Sequence, residues 1–178
     1  VLAGILATVG MLTEFSIILT IASSTLFLTV AIPVLVMAVV GLFSTIILFR
    51  RKPNHHHFEQ PQNPLDIKAV IYLSTIIGGM LFLVAVAKNT LGVKAVQLVT
   101  FLGGIFEIHG VSLANASLYI NQHITLTDAH HNLLLALLAS FIPKFVLPCA
   151  MVRGRFALMM SSFMILMISA GAVAVLLT

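Results

Sequence analysis

The sequence predicts an all-α integral membrane protein, and three observations support this fold class. Of the 178 residues, 60% are hydrophobic and only 8% are charged, whereas a soluble domain carries about 25% charged residues. The apolar residues form blocks near or above the roughly 20 residues that span a bilayer core. Because backbone amides in lipid must be paired within their own segment, these blocks are helices. The alternating pattern of a membrane β-barrel is absent.

The apolar blocks make one membrane domain with three stretches. Residues 1–49 form the first helix pair, residues 50–64 a polar cytoplasmic loop, and residues 65–178 the third helix, a broken helix and the C-terminal helix pair. We thus expect about five transmembrane helices plus the broken one. Since the first block begins in mid-helix without an initiator Met, we expect an N-terminal part of the domain to precede Val1.

Two capping signals mark helix starts in this scheme. Asn63 and Asp66 predict a capping box that opens the third helix, with a proline at its first helical position. Thr125 and Asp128 predict a second capping box, which opens the fifth helix near Leu126.

Glycines interrupt the apolar run of residues 93–121, and Glu107 and His109 lie among them. We interpret this segment as a broken helix, or as two half-helices that meet at an unwound stretch. In the fifth helix, Pro143 removes a backbone hydrogen bond and should loosen the chain there. The residues assigned to helix breaks are Gly103, Gly104, Gly110 and Pro143.

Lysines and arginines in short loops set the orientation in the membrane. The basic run at residues 50–52 places the loop that follows it in the cytoplasm. If the broken segment crossed the membrane, Arg153 and Arg155 would lie outside, against the rule. If it is re-entrant, both arginines lie in the cytoplasm. We favour the re-entrant topology, with a spanning segment as the alternative.

A faint internal repeat agrees with the re-entrant topology. Residues 5–19 align with residues 135–152, and Glu14 falls on Lys144 at an offset of 144 − 14 = 130. The two helices would run in opposite directions, as in the inverted repeats of many transporters, whose sites lie near the membrane midplane. Chance similarity between two apolar helices is the alternative explanation.

The ionisable residues inside apolar segments are the candidate functional residues. Each charged group at a helix centre costs roughly 2.5–3.5 kcal/mol on insertion scales. Glu107 and His109 are two residues apart, so they can reach one ligand only if the helix is broken between the glycines. With Ser112 and Asn115 adding neutral oxygens, the set suits a divalent cation or a proton relay. The alternative is that Glu107 and His109 only fix helix packing.

Glu14 and Lys144 have opposite charges, and the repeat would place both at the midplane, where they form a charge gate or a buried pair. A buried pair is weak evidence for stability, so a structural and a functional role stay equally open.

The charge, the cysteine content and the motifs give no sign of nucleic-acid binding, a disulfide framework or common catalytic sites. The net charge of +4 comes from residues at helix ends and does not indicate nucleic-acid binding. The single cysteine excludes a disulfide framework, and no nucleotide loop, nucleophile elbow or zinc-protease motif is present. We interpret the histidines at 55–57 as part of a solvated loop. The group His123, Asp128, His130 and His131 we interpret as an ordinary interfacial loop, with a metal-collecting mouth as the alternative.

Residues 63–68 (NPLDIK) and 103–113 (GGIFEIHGVSL) resemble the C-terminal membrane domain, of unassigned function, of bacterial MgtC/SapB-type proteins. Members of that family typically read NP-L-E-L before one helix and SGLADVDAITLS in a broken segment, followed by a helix bearing a lysine. The resemblance covers nearly the whole chain. It implies an earlier broken segment upstream of residue 1, and so a pseudo-symmetric core of which this chain holds half.

The resemblance places Glu107 and His109 on two family aspartates, Ser112 on a threonine and Lys144 on the family lysine. Two departures matter. His109 replaces an acid, which weakens a site for hard cations and favours softer metals or protons. Glu14 stands where the family has an arginine.

We therefore expect a non-enzymatic membrane protein of the bacterial inner membrane that moves a cation, either a divalent metal or one coupled to protons, through the broken helix. The sequence does not assign a cofactor; the candidate is a divalent cation at Glu107 and His109. The alternative is a non-transporting regulatory module that binds a partner protein, as in MgtC-type adaptation to low magnesium. Expected partners are the lipid bilayer, a second copy in a homo-oligomer, or that regulatory partner, and no nucleic acid.

Overall fold

The structure, a computed structural model, describes residues 1–50, 71, 74–75, 78–79, 82–83, 86, 93–151 and 155–177. The third helix, the loop after Arg50 with its histidines, and the Asn63–Asp66 capping box lie outside the described residues, except for single helical residues between 71 and 86. In the described part, six continuous helices are α1 Leu2–Ala22, α2 Ser24–Arg50, α3 Val93–Phe106, α4 Ile108–Ile120, α5 Leu126–Met151 and α6 Arg155–Leu176.

Four helices in this part of the chain are long and apolar enough to cross a membrane. They are Leu2–Ala22, Ser24–Arg50, Leu126–Val146 and Leu158–Leu176. The prediction of a helical, multi-pass membrane protein is thus confirmed. By contrast, α3 has 14 residues and α4 has 13, and each is shorter than the roughly 20 residues that a bilayer core requires.

Helices α1, α2 and α6 pack tightly through small residues. A Cβ at Gly41 would meet the side chain of Val9, and one at Gly171 would meet Met37. The Thr8 hydroxyl lies 4.0 Å from the Met164 sulfur. Small residues let membrane helices approach closely, since packing rather than the hydrophobic effect holds them together in lipid.

Helices α3 and α4 fold back on each other. The Asn115 Nδ2 donates a hydrogen bond to the Thr100 Oγ1 at 3.0 Å, although the two residues are 115 − 100 = 15 positions apart. On one straight helix they would be separated by about 22 Å, at 1.5 Å per residue. The two helices therefore form a hairpin, which we call the α3–α4 hairpin, with Glu107 at its tip.

The α3–α4 hairpin packs against α5. A Cβ added at Gly104 would lie 2.8 Å from the Ala136 carbonyl oxygen and 3.1 Å from the Ala139 Cβ. Gly104 thus allows α3 to approach the α5 backbone. The start of α5 is as predicted, because the Asp128 amide donates to the Thr125 Oγ1 at 3.1 Å and the Thr125 hydroxyl donates to the Asp128 Oδ2 at 2.8 Å. This capping box is confirmed.

Candidate functional site

The break between α3 and α4 is a single capping residue, Glu107. Its backbone is extended (φ −153°, ψ 103°), and its amide donates to the Gly103 carbonyl at 2.7 Å, closing α3. Its Oε1 accepts from the His109 amide at 3.0 Å, and its Oε2 accepts from the Gly110 amide. The Glu107 side chain therefore satisfies the first free amides of α4, as an N-cap does.

The residues predicted to break helices all lie within helices. Gly103 and Gly104 belong to α3, Gly110 to α4 and Pro143 to α5. The helix is interrupted where a buried carboxylate, 7% exposed, competes for backbone amides, rather than where glycine makes the chain flexible.

A half-open cavity of about 240 Å³ lies at the hairpin tip, and we call it the break cavity. Five of the predicted site residues line it, together with residues of α1, α3 and α5. The predicted residues on its wall are Gly104, Glu107, His109, Pro143 and Lys144. The predicted residues thus converge on one space although they are up to 144 − 104 = 40 positions apart, because the hairpin tip abuts α5.

The imidazole of His109 joins the break cavity to α1. Its Nε2 lies 3.3 Å from the Glu14 Oε2, whose side chain is 69% exposed. Its Nδ1 is buried and has no hydrogen-bond partner among the described residues. One ring nitrogen of His109 therefore faces a carboxylate, while the other is left for a ligand or a proton.

Lys144 pairs with groups other than Glu14, so the structure does not show the predicted pair. The Nζ of Lys144 donates to the Ser140 carbonyl at 2.7 Å and lies 3.0 Å from the Met11 sulfur. It is also 5.6 Å from the centroid of the Phe141 ring. Met11 precedes Glu14 by about one helical turn, and His109 occupies the place beside Glu14. The ammonium thus stays in the break cavity, one turn away from that carboxylate.

Ser112 and Asn115 lie away from the break cavity, in the core of the hairpin. Both are fully buried. The Ser112 hydroxyl donates to the Ile108 carbonyl at 2.7 Å. The Asn115 Nδ2 donates to both Thr100 and the Val111 carbonyl, and the Asn115 Oδ1 accepts from the Asn132 Nδ2 at 2.7 Å. Asn115 thus links α4 to α3 and α5, whereas the Ser112 hydroxyl bonds within α4.

Sequence analysis missed Thr100, Asn132 and Ser140. Thr100 and Asn132 are fully buried and bonded to Asn115. We call Thr100, Asn115 and Asn132 the amide ladder. Ser140 lines the break cavity. The available signal was a polar side chain inside an apolar run, at Asn132 above all, because an amide in a membrane helix needs partners.

The histidine group near the start of α5 does not form a metal site. The rings of His130 and His131 meet edge to face, with centroids 5.7 Å apart, and Asp128 is used by the capping box. Across the described ranges, no three His, Cys, Asp or Glu residues are placed to hold a metal ion.

Residues 1–154 match the model of a family described as a domain of unknown function (DUF4010). No curated protein and no solved structure matches the chain.

Proposed function

The chain belongs to the DUF4010 family, a domain of unknown function, and on that premise we propose that it carries protons, or a cation coupled to protons, through the break cavity. The observation that supports this proposal best is the convergence of Glu107, His109 and Lys144 on one half-open space. We propose transport rather than catalysis as the role of this cavity.

The depth of the break cavity supports transport. Met11 and Glu14 are 11 and 8 residues before the end of α1 at Ala22, which is about 16 and 12 Å along a helix. The bilayer core is about 30 Å thick, so both residues lie near its middle. Ionisable groups at this depth are expensive and mark proton or ion pathways in many membrane proteins.

The re-entrant topology is part of the proposal. Ser140 lines the break cavity together with Glu107, and it lies 140 − 126 = 14 residues after the start of α5. The hairpin tip therefore reaches about 21 Å along α5, roughly two thirds of a 30 Å core. Transport sites commonly lie where such discontinuous helices end near the midplane.

The evidence for an inverted repeat is mixed. Met11 lies beside Lys144, which agrees with the repeat. Helices α1 and α5 run in opposite directions if α6 is antiparallel to α5 and parallel to α1. However, the offset of 130 pairs Phe15, which is 1% exposed, with Phe145, which is 38% exposed. The proposal therefore rests on the cavity and not on the repeat.

A proton fits the donor set better than a resident divalent cation. Both carboxylate oxygens of Glu107 already accept from backbone amides, and the Lys144 ammonium lies in the same cavity. A hard divalent cation takes about six oxygen ligands. An imidazole can instead accept a proton at one nitrogen and release it from the other, and His109 contacts Glu14 on one side and the cavity on the other.

A regulatory module that binds a partner protein is the second candidate. The observation in its favour is the exposure of Glu14 on α1, because a carboxylate near the midplane must be covered by protein or water. A partner helix or a second copy of the chain would cover it. The link to MgtC/SapB-type proteins and a place in the bacterial inner membrane belong to the proposal too, and rest on the resemblance described above.

The test is flux in proteoliposomes that hold the purified protein and an internal pH-sensitive dye. We expect acidification under an imposed pH gradient, and a panel of divalent cations on the outside identifies any coupled cargo. Glu107→Gln should lower the flux at least tenfold. Asp128→Asn is the matched control, since it removes a capping carboxylate that lies outside the break cavity.

Two results would count against transport. If folded wild-type protein gives no flux with protons or any cation, the proposed function fails and the regulatory module becomes the better hypothesis. If Glu107→Gln and Asp128→Asn lower the flux equally, the carboxylate of Glu107 acts only as a cap.

A further inference from the structure

A second cavity, of about 310 Å³, lies beside the amide ladder on the outer side of α3 and α5. Gln97, His131 and Asn132 supply its polar wall, and three leucines supply the rest. We call it the Asn132 cavity. None of the residues that line it is a carboxylate, a lysine or an arginine, so its polar groups are two amides and an imidazole.

The Asn132 carbonyl oxygen has no hydrogen-bond donor in the described part of the chain, although the side chain is fully buried. Its Nδ2 is already used, since it donates to the Asn115 Oδ1 at 2.7 Å. A buried acceptor without a donor costs roughly 1–3 kcal/mol. A molecule that donates a hydrogen bond would remove this cost.

The orientation of the Asn132 amide follows from a backbone carbonyl. The Asn115 Nδ2 donates to the Val111 carbonyl at 2.9 Å, and a carbonyl can only accept. The Asn115 nitrogen must therefore face Val111, which turns its oxygen towards Asn132. Asn132 must then present its own nitrogen to Asn115, and its oxygen is left over. The unpaired acceptor is thus a consequence of the fold and not of an arbitrary amide flip.

The Asn132 cavity lies close to one membrane surface. Asn132 is six residues from the start of α5 and Gln97 is four residues from the start of α3, which correspond to depths of about 9 and 6 Å. His131, at the rim, is exposed. Water that enters from this surface would reach the Asn132 oxygen and so the amide ladder. The break cavity begins at Gly104, 104 − 97 = 7 residues further along α3 than Gln97, which is about 10 Å.

We propose that the Asn132 cavity is a water-filled mouth, from which protons or a hydrated cation enter the path to the break cavity. Its guest is water that donates a hydrogen bond to the Asn132 oxygen. The second half of this inference, entry to the path, rests on the proposed function, whereas the presence of water does not.

Cysteine labelling in membranes tests the presence of water. The cysteine thiolate, which forms in water and not in hydrocarbon, attacks methanethiosulfonate reagents. The single cysteine of the chain, Cys149, is first replaced by serine. Gln97→Cys should then react with a charged methanethiosulfonate reagent at least tenfold faster than Leu98→Cys. Leu98 is the matched control because it neighbours Gln97 on α3 and is 60% exposed on the outer surface.

Equal and slow reaction at the two positions would overturn the proposal, since the Asn132 cavity would then be filled by lipid or protein. The flux assay tests the second half. Modification of Gln97→Cys with the cationic reagent should lower flux at least tenfold, whereas Leu98→Cys should be unaffected. If Gln97→Cys is labelled but flux stays normal, the Asn132 cavity contains water but does not lie on the transport path, and the proposal that it is the entrance is rejected. Rapid labelling in a protein without any flux removes the proposed function and leaves the water-filled cavity.

Discussion

Glu14 on α1 and His109 in the first turn of α4 are linked by a distance of 3.3 Å between the carboxylate Oε2 and the imidazole Nε2. This contact ties the tip of the α3–α4 hairpin to a helix that is about 95 residues earlier in the chain. His109 therefore contacts Glu14, which does not line the break cavity, while His109 itself lines that cavity.

If these two residues pass a proton between them, their effects on flux should not add. We expect Glu14→Gln and His109→Gln each to lower proton flux at least tenfold, and the double variant to lower it no further than the worse single variant. Residues that act as one unit show this non-additivity. The measurement is initial acidification rate in proteoliposomes, at matched protein content. Effects of the two changes that multiply would show that the residues act separately.

The Glu107 carboxylate should matter for stability as well as for flux. Loss of an N-cap costs roughly 0.5–2 kcal/mol, so Glu107→Ala should lower the free energy of unfolding by about that amount. Glu107→Gln keeps one acceptor oxygen and should cost less stability, while losing as much flux as the alanine variant. Thermal unfolding in detergent and flux in liposomes separate the two effects. Glu107→Gln with full flux would leave the residue with a structural role alone.

The sequence was sufficient to predict the helical membrane class and the second capping box, because the first depends on local composition and the second on residues three positions apart. It was also sufficient to single out Glu107, His109 and Lys144, since charged groups inside apolar runs are costly. These three residues converge as a consequence of the hairpin, whose long-range pairing of Thr100 with Asn115 has no signature in local sequence.

Glycine had a different role from the one that the sequence suggested. Gly103, Gly104 and Gly110 lie around Glu107 and indicated a helix break, yet all three are helical and Gly104 serves the close approach of α3 to α5. The structure places His109, and not Lys144, beside Glu14. Opposite charge favoured Lys144 as the partner of Glu14. The side chain that lies beside Glu14 is instead set by the start of α4, and α4 starts where Glu107 caps it.

The turn between α4 and α5 contains a residue in an unfavourable conformation. Gln122 has φ 58°, and the hydrogen bonds from Gln122 to the Tyr119 carbonyl and from His123 to the Leu118 carbonyl form a Schellman motif, in which glycine is usual at this position. A non-glycine residue pays about 1–2 kcal/mol for this conformation. Gln122→Gly should therefore raise the free energy of unfolding by roughly 0.5–1 kcal/mol, after its greater unfolded-state entropy is subtracted.

The comparison variant at this position is Gln122→Val, in which a β-branched side chain meets the same positive φ. Chemical denaturation in detergent should rank glycine above glutamine and glutamine above valine. The reverse order would mean that this turn has a different backbone conformation in the membrane.

Replacing Gly104 by any residue with a side chain should destabilise the protein, because the α5 backbone occupies the space that a Cβ would need. A Cβ there would lie 2.8 Å from the Ala136 carbonyl oxygen and 2.9 Å from the Ala136 Cα, and backbone atoms cannot move aside cheaply. Overpacking of this kind costs typically 1–3 kcal/mol, so Gly104→Ala should lower the free energy of unfolding by about that amount.

Gly10→Ala is the matched control, since a Cβ at Gly10 would meet nothing within 4 Å. Alanine forms helices better than glycine by about 1 kcal/mol, so this variant should be neutral or slightly stabilised. Unfolding of both variants in the same detergent gives the comparison. If the two alanine variants have equal stability, α3 and α5 do not approach each other as closely as Gly104 indicates. The break cavity, whose wall includes Gly104, would then be wider than the structure shows.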